Sequence, residues 1–171
     1  MATAKEVLDR LREAIARLAS NGVDMQHNRM PPAPDAVALQ VLRSVVPHQV
    51  AEELIALYSL CDGIILPDVK NGLFLHTIAQ LSRAKQNMVP NIIVGDEAGS
   101  IFVIGSDGGG SLFALRLDGS REILYLPTAR IENNTYFGEP NSIETVAVGI
   151  AGFLAWLILQ TEEFRDELEG E

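Results

Sequence analysis

The chain has 171 residues, a hydrophobic content of 47% and a formal net charge of −10 from thirteen Lys+Arg against twenty-three Asp+Glu. That length suits one domain whose core needs no disulfide or metal staple, and the apolar content excludes overall disorder. The acidic balance argues against nucleic-acid binding, which needs a basic face over phosphates, and fits a chain that meets a basic partner.

Cys61 is the only cysteine, so neither an intrachain disulfide nor a thiolate metal cluster can form. A reducing cytosol is the matching compartment, and the expected localisation is cytoplasmic. The N-terminus is charged from Lys5 onward and carries no apolar secretory core. The longest apolar run, Val146 to Leu159, is shorter than the roughly 20 residues a bilayer requires, so no membrane association is expected.

In chain order, Thr3 to Ala19 reads as a helix. Thr3 is placed to cap it, Glu6 to reach back as the reciprocal partner, and Val7, Leu8, Leu11, Ile15 and Leu18 form one apolar face. Glu6 with Arg10 and Glu13 with Arg17 are i,i+4 pairs, and Asn21-Gly22 ends the helix. Pro31, Pro32 and Pro34 make a connector, and Asp35 caps a second helix to about Val46. After Pro47 a third helix runs from about His48 to Leu60 and ends in the Asp62-Gly63 turn.

Ile64 to Leu66 is a short apolar run and Gly72 to His76 a strand, after which Thr77 caps a short helix to about Asn87. Ile92 to Val94 is a strand. Ile101 to Leu117 then reads as a hairpin, two apolar runs around Gly105-Ser106-Asp107-Gly108-Gly109-Gly110-Ser111. Glu122 to Leu126 is a further strand, stopped by Pro127, and Thr128 to Pro140 is polar and loop-like. Asn141 or Ser142 caps the last long helix, apolar on nearly all sides from Val146 to Leu159. The acidic tail from Thr161 to Glu171 reads as a solvated helix end that frays. Helices, then strands, then a helix predict a single α+β domain with a central mixed, mostly antiparallel sheet and helices packed around it.

The glycine-rich turn offers two readings, a tight turn or a phosphate cradle. A Walker loop needs Lys before Ser or Thr at a helix start, and a dinucleotide fingerprint needs a helix after its glycines. Here there is no such lysine, a strand follows, and Asp107 would repel phosphate, so Gly105, Gly108, Gly109 and Gly110 are read as structural turn residues. His27, His48 and His76 are scattered without ligand spacing, so no metal is expected. Cys61 ends an amphipathic helix and reads as a buried thiol. Ser106 and Ser111 stand in no nucleophile-elbow pattern. No catalytic residue and no cofactor are expected. Asp62, Asp68, Asp96, Glu97 and Asp107 all sit in turns, where Asp is favoured for local backbone bonding.

Several stretches in order resemble the SUKH superfamily, named after fungal cell-wall-synthesis regulators and bacterial immunity proteins. They are Pro31-Pro32-Ala33-Pro34-Asp35 leading into a helix, Pro47, then Glu53 to Tyr58 followed by Asp62-Gly63, the hairpin Ile104 to Leu115, and the closing helix with Phe153-Leu154. Together they span about 31–160. The helical insertion from Thr77 to Asn87 departs from that pattern. The resemblance implies an α+β fold and a non-enzymatic protein-binding role, typically that of an antidote to a nuclease or deaminase toxin, and it carries no shared catalytic residues. Expected contacts with such a basic protein partner are exposed acidic and aromatic loop residues: Asp62, Asp68, Asp96, Glu97, Asp107, Tyr136 and Phe137. The rival readings are a regulatory or scaffold protein of the same fold and a small-ligand binder using Gly105 to Ser111.

Overall fold

A computed structural model describes residues 3–84 and 89–170 of the chain. Its first helix, α1 (Ala4–Leu18), forms where the sequence puts its signals. Thr3 accepts from the Glu6 amide, and the Glu6 carboxylate accepts from the Thr3 amide at 2.7 Å. That capping use of Glu6 replaces the expected pair with Arg10, whereas Arg17 does meet Glu13, at 3.8 Å. A short 3-10 turn (Ala19–Asn21) follows, and Gly22 takes the left-handed conformation that ends the helix, φ +81°. Asp35 caps α2 (Ala36–Val45), and α3 (Ala51–Tyr58) begins later than expected, because Pro47 to Val50 form a turn.

The strands are β1 (Ile64–Leu66), β2 (Leu73–Leu75), β3 (Ile92–Ile93), β4 (Gly99–Asp107), β5 (Leu112–Arg116), β6 (Glu122–Leu126), β7 (Arg130–Glu132), β8 (Thr135–Phe137) and β9 (Glu144–Val148). Between β2 and β3, α4 (Ile78–Arg83) starts with a second reciprocal cap, Thr77 with Gln80. The expected continuation of α4 to Asn87 lies outside the described residues. The sheet runs β7-β8-β3-β4-β5-β6-β9, and β1-β2 attaches through β2 to the far end of β4. Every pairing is antiparallel except β3 with β8, so the sheet is mixed and mostly antiparallel, and the fold is α+β.

Three expectations are corrected. The stretch from Thr128 to Pro140 contains a β-hairpin. Asn133 and Asn134 both have positive φ, +49° and +59°, and make the two-residue turn whose twist matches paired strands. Second, neither Asn141 nor Ser142 caps the last helix. The first residues of the apolar run, Val146 and Ala147, belong to edge strand β9, and Gly149 at φ +69° breaks the chain into α5 (Gly149–Glu169). Third, the acidic tail is not simply solvated: it is helical to Glu169 and paired with the body of the domain. Lys70 pairs with Glu163 and Glu167, and Arg17 lies 3.7 Å from Glu162.

Alternation along the strands gives the sheet two apolar faces. Phe113, Leu115, Ile123 and Ile104 face α1, α3 and α5 in the main core, where Phe113 packs its ring against Phe153 and Trp156. Ile101, Val103, Ala114 and Leu124 face the other way, covered by Tyr136 and the β7–β8 hairpin. The start of α5 is tied to the helical layer by one carboxylate. Glu53 on α3 accepts from the Ile150 amide at 3.0 Å and pairs with Arg121, 2.5 Å away. Burial would raise the Glu53 pKa, but the Arg121 guanidinium and the Ile150 amide outweigh it and hold it below the usual carboxylate value. Glu53→Ala is expected to destabilise the fold by about 1 kcal/mol, the usual loss of a helix cap, read from the midpoint of urea unfolding at constant slope.

Candidate functional site

The glycine hairpin is occupied by its own chain. Asp107 accepts from the amides of Gly109 at 2.9 Å and Ser111 at 2.8 Å, and from the Tyr125 hydroxyl at 2.9 Å. The Gly108 amide donates to the carbonyl of Asn71 at 2.8 Å. The amides of Gly108, Gly109 and Ser111 are therefore engaged internally, and Asp107 supplies the negative charge that those of Gly109 and Ser111 require. Of the four turn glycines only Gly110 needs positive φ, +89°. The other three are glycines because something stands against them. A Cβ on Gly105 would lie 2.3 Å from the Phe74 carbonyl oxygen, one on Gly108 2.1 Å from that of Asn71, and one on Gly109 2.7 Å from the Asn71 side chain.

Most of the seven expected contact residues are committed to the fold. Asp62 accepts from the Ile78 amide at 2.8 Å and so holds the start of α4. Asp68 accepts from the buried Asn28 side chain, while its own amide donates back to Asn28. Asp107 closes its own turn. Tyr136 is 1% exposed, its hydroxyl donating to the Pro127 carbonyl, so it is a core residue and not a surface contact. Reading Thr128 to Pro140 as a loop caused that error, and the Asn133-Asn134 turn between Ile131 and Tyr136 was the signal available to correct it.

The remaining three converge at one end of the sheet. Asp96 and Glu97 follow β3, and Phe137 ends the neighbouring β8, with Arg130 stacked 4.3 Å over its ring. A shallow cleft of about 90 Å³ separates residues 94–97 from residues 138–143, with Asp96, Glu97 and Glu139 on its walls. Asp96 and Glu139 are exposed, and neither has an ion-pair partner among the described residues. Glu97 turns toward Arg116, a buried guanidinium that also lies 3.9 Å from Asp118. Arg116 Nε is 3.2 Å from Glu122 without the alignment of a hydrogen bond.

Two other groups bear on chemistry. Burial pushes the Cys61 thiol up to about 11, so it stays protonated at neutral pH. His76 Nε2 lies 3.1 Å from Ser106 Oγ, and the His76 carbonyl accepts from the Tyr58 hydroxyl. Neither His76 nor Ser106 lines the acidic cleft. No protein-family model matches the chain, and no curated protein matches it.

Burial lowers the His76 pKa, so the folded state keeps the ring neutral where the unfolded chain, titrating at about 6.5, takes up a proton. The unfolded state then holds more protons, and stability falls as pH drops through that value. His76→Gln should flatten this fall between neutral and mildly acidic pH, measured by urea unfolding at several pH values. Gly105→Ala and Gly108→Ala are each expected to cost about 2 kcal/mol, because the new methyl meets a backbone carbonyl. Gly109→Ala should cost less, since the Asn71 side chain can move. Equal losses at all three positions in the same assay would contradict this account of the hairpin.

Proposed function

We propose that the chain is a non-enzymatic, SUKH-like protein-binding domain that acts in the cytoplasm as the antidote to a basic toxin domain of nuclease or deaminase type. The observation that carries this reading is the ordered set of motifs from Pro31 to Phe153-Leu154, which resembles that superfamily. The α+β architecture supports it, as does the charge of −10, since complementary charge accelerates encounter with a basic partner. The contact surface is the acidic end of the sheet, around Asp96, Glu97, Phe137 and Glu139. These carboxylates lie at the surface, whereas those of Asp62, Asp68 and Asp107 are engaged in holding turns.

The test is coexpression with the toxin-like product of a neighbouring gene. The expected result is restored growth and a stable complex of the two purified proteins. Asp96→Lys with Glu139→Lys should slow association by about tenfold at low salt, with a smaller effect at high salt as the charges are screened. If no neighbouring toxin is bound or neutralised, the antidote reading is abandoned. If the complex forms but the double reversal leaves its association rate unchanged, the contact surface lies elsewhere.

A further inference from the structure

The last two turns of α5 are helical against the preferences of their own sequence. Glu162, Glu163, Asp166, Glu167 and Glu169 stand there with Arg165 as the single cation, and the last turn contains no basic residue. Carboxylates at a helix C-terminus oppose the macrodipole, and like charges four residues apart oppose the helix. Glu162 with Asp166 and Glu163 with Glu167 are two such pairs. Apolar support is thin as well. Leu154, Leu157, Ile158 and Thr161 are buried, but none of the described residues beyond Thr161 is, and Phe164 is the last side chain packed against the main core.

What holds this end comes from other elements. Lys70 lies 3.8 Å from Glu163 and also pairs with Glu167, so one ammonium serves both carboxylates of a repelling pair. The Lys70 side chain is the sheltered partner, 28% exposed against 48% and 60% for the two glutamates. Arg17 lies 3.7 Å from Glu162 with both side chains exposed, an arrangement that contributes little. The Asn21 side chain donates to Glu169 at 3.2 Å. Arg165 pairs with Asp166 and Glu169, inside the same segment.

The backbone singles out the same lysine independently. Lys70 has φ +55°, in the turn between β1 and β2. Left-handed positions ordinarily fall to glycine or asparagine. Among the described residues five that are not glycine have positive φ, and three of these are asparagines. The other two are Lys70 and Arg121, and each makes an ion pair that holds one end of α5. A lysine retained against its backbone preference points to a task for its side chain. Its turn is also a firm mount. Val69 is fully buried, and the Asn71 carbonyl accepts from the Gly108 amide.

We propose that Lys70 is the latch of a detachable helix end. Residues 162–169 stay docked and helical while the Lys70 charge is in place, and they open as a unit, ahead of the rest of the domain, when that charge is removed or screened. Opening costs no buried side chain, because the segment released begins after Thr161. The proposal goes beyond the antidote reading and does not depend on it.

The test is amide hydrogen exchange of the full chain, read by mass spectrometry on peptides from the two ends of α5. Lys70→Gly removes the amine and suits the left-handed backbone, so its urea midpoint should stay nearly unchanged. Exchange over residues 162–169 should rise about fivefold, the factor for two charge contacts of ordinary size, and exchange over 150–158 should not change. Lys70→Met, which keeps the stem without the charge, should match Lys70→Gly, while Lys70→Arg should retain most of the protection. Raising NaCl from about 0.05 M to about 0.5 M should speed exchange of the end in the unmodified chain, and less so in Lys70→Gly. Unchanged exchange over 162–169 in both Lys70→Gly and Lys70→Met overturns the proposal. So does an equal rise at both ends of α5, which would mean that the whole domain loosens. Full protection in Lys70→Met beside lost protection in Lys70→Gly also overturns it, since the stem and not the charge would then hold the helix.

Discussion

The structure depends on one strand having two different neighbours along one edge. β4 is nine residues long, and its pairing with β5 shifts register between Val103 and Gly105. That bulge turns the second half of the strand toward β2, and the Ile104 carbonyl accepts from the His76 amide at the point where the shift occurs. Gly105 makes the approach feasible, since any side chain there would strike the Phe74 carbonyl. The β1–β2 arm and the start of α4 both follow from this arrangement.

A second constraint acts from the helical side. Tyr58 ends α3, is fully buried, and donates its hydroxyl to the His76 carbonyl, so the end of β2 is gripped by β4 and by a helix at once. Glu53, earlier on the same helix, holds the Ile150 amide in the first turn of α5 and the Arg121 side chain. One two-turn helix therefore holds both the exit of β2 and the first turn of α5, with a hydroxyl for one and a carboxylate for the other. The two contacts differ in their sensitivity to solvent. The tyrosine contact is dry, whereas Glu53 is partly exposed and its pairing with Arg121 weakens with salt.

Local signals were readable from the sequence because they act within a few residues. Thr3 with Glu6, Asp35 and Thr77 all cap the helices they were expected to cap, since the acceptor and the amide it serves are three residues apart. The hairpin from Ile101 to Leu117 was equally legible through its glycines and flanking apolar runs. Where tertiary context decided, the reading failed. Val146 to Leu159 is one nearly continuous apolar run, and only pairing with β6 and the left-handed Gly149 divide it into strand and helix. Tyr136 was placed on the surface because the segment around it is polar, although its own ring fills the second core. Three of the acidic contact candidates, Asp62, Asp68 and Asp107, are engaged within the fold for a related reason. A turn aspartate and a binding aspartate look the same until the amide it caps is known, and Asp62 and Asp107 proved to be capping groups.

Among the described residues the same sheet carries three outer strands, and each is protected from further pairing in its own way. β1 has only three residues and is bridged along its outer side by Arg29. β7 is equally short and presents Arg130 and Glu132 to solvent. β9 is longer and carries exposed Val148, but its pairing with β6 skips Val146, and the resulting bulge kinks its free edge. A kinked or very short edge is a poor template for an incoming β-strand. Copies of the domain can therefore accumulate in solution without stacking edge to edge into aggregates.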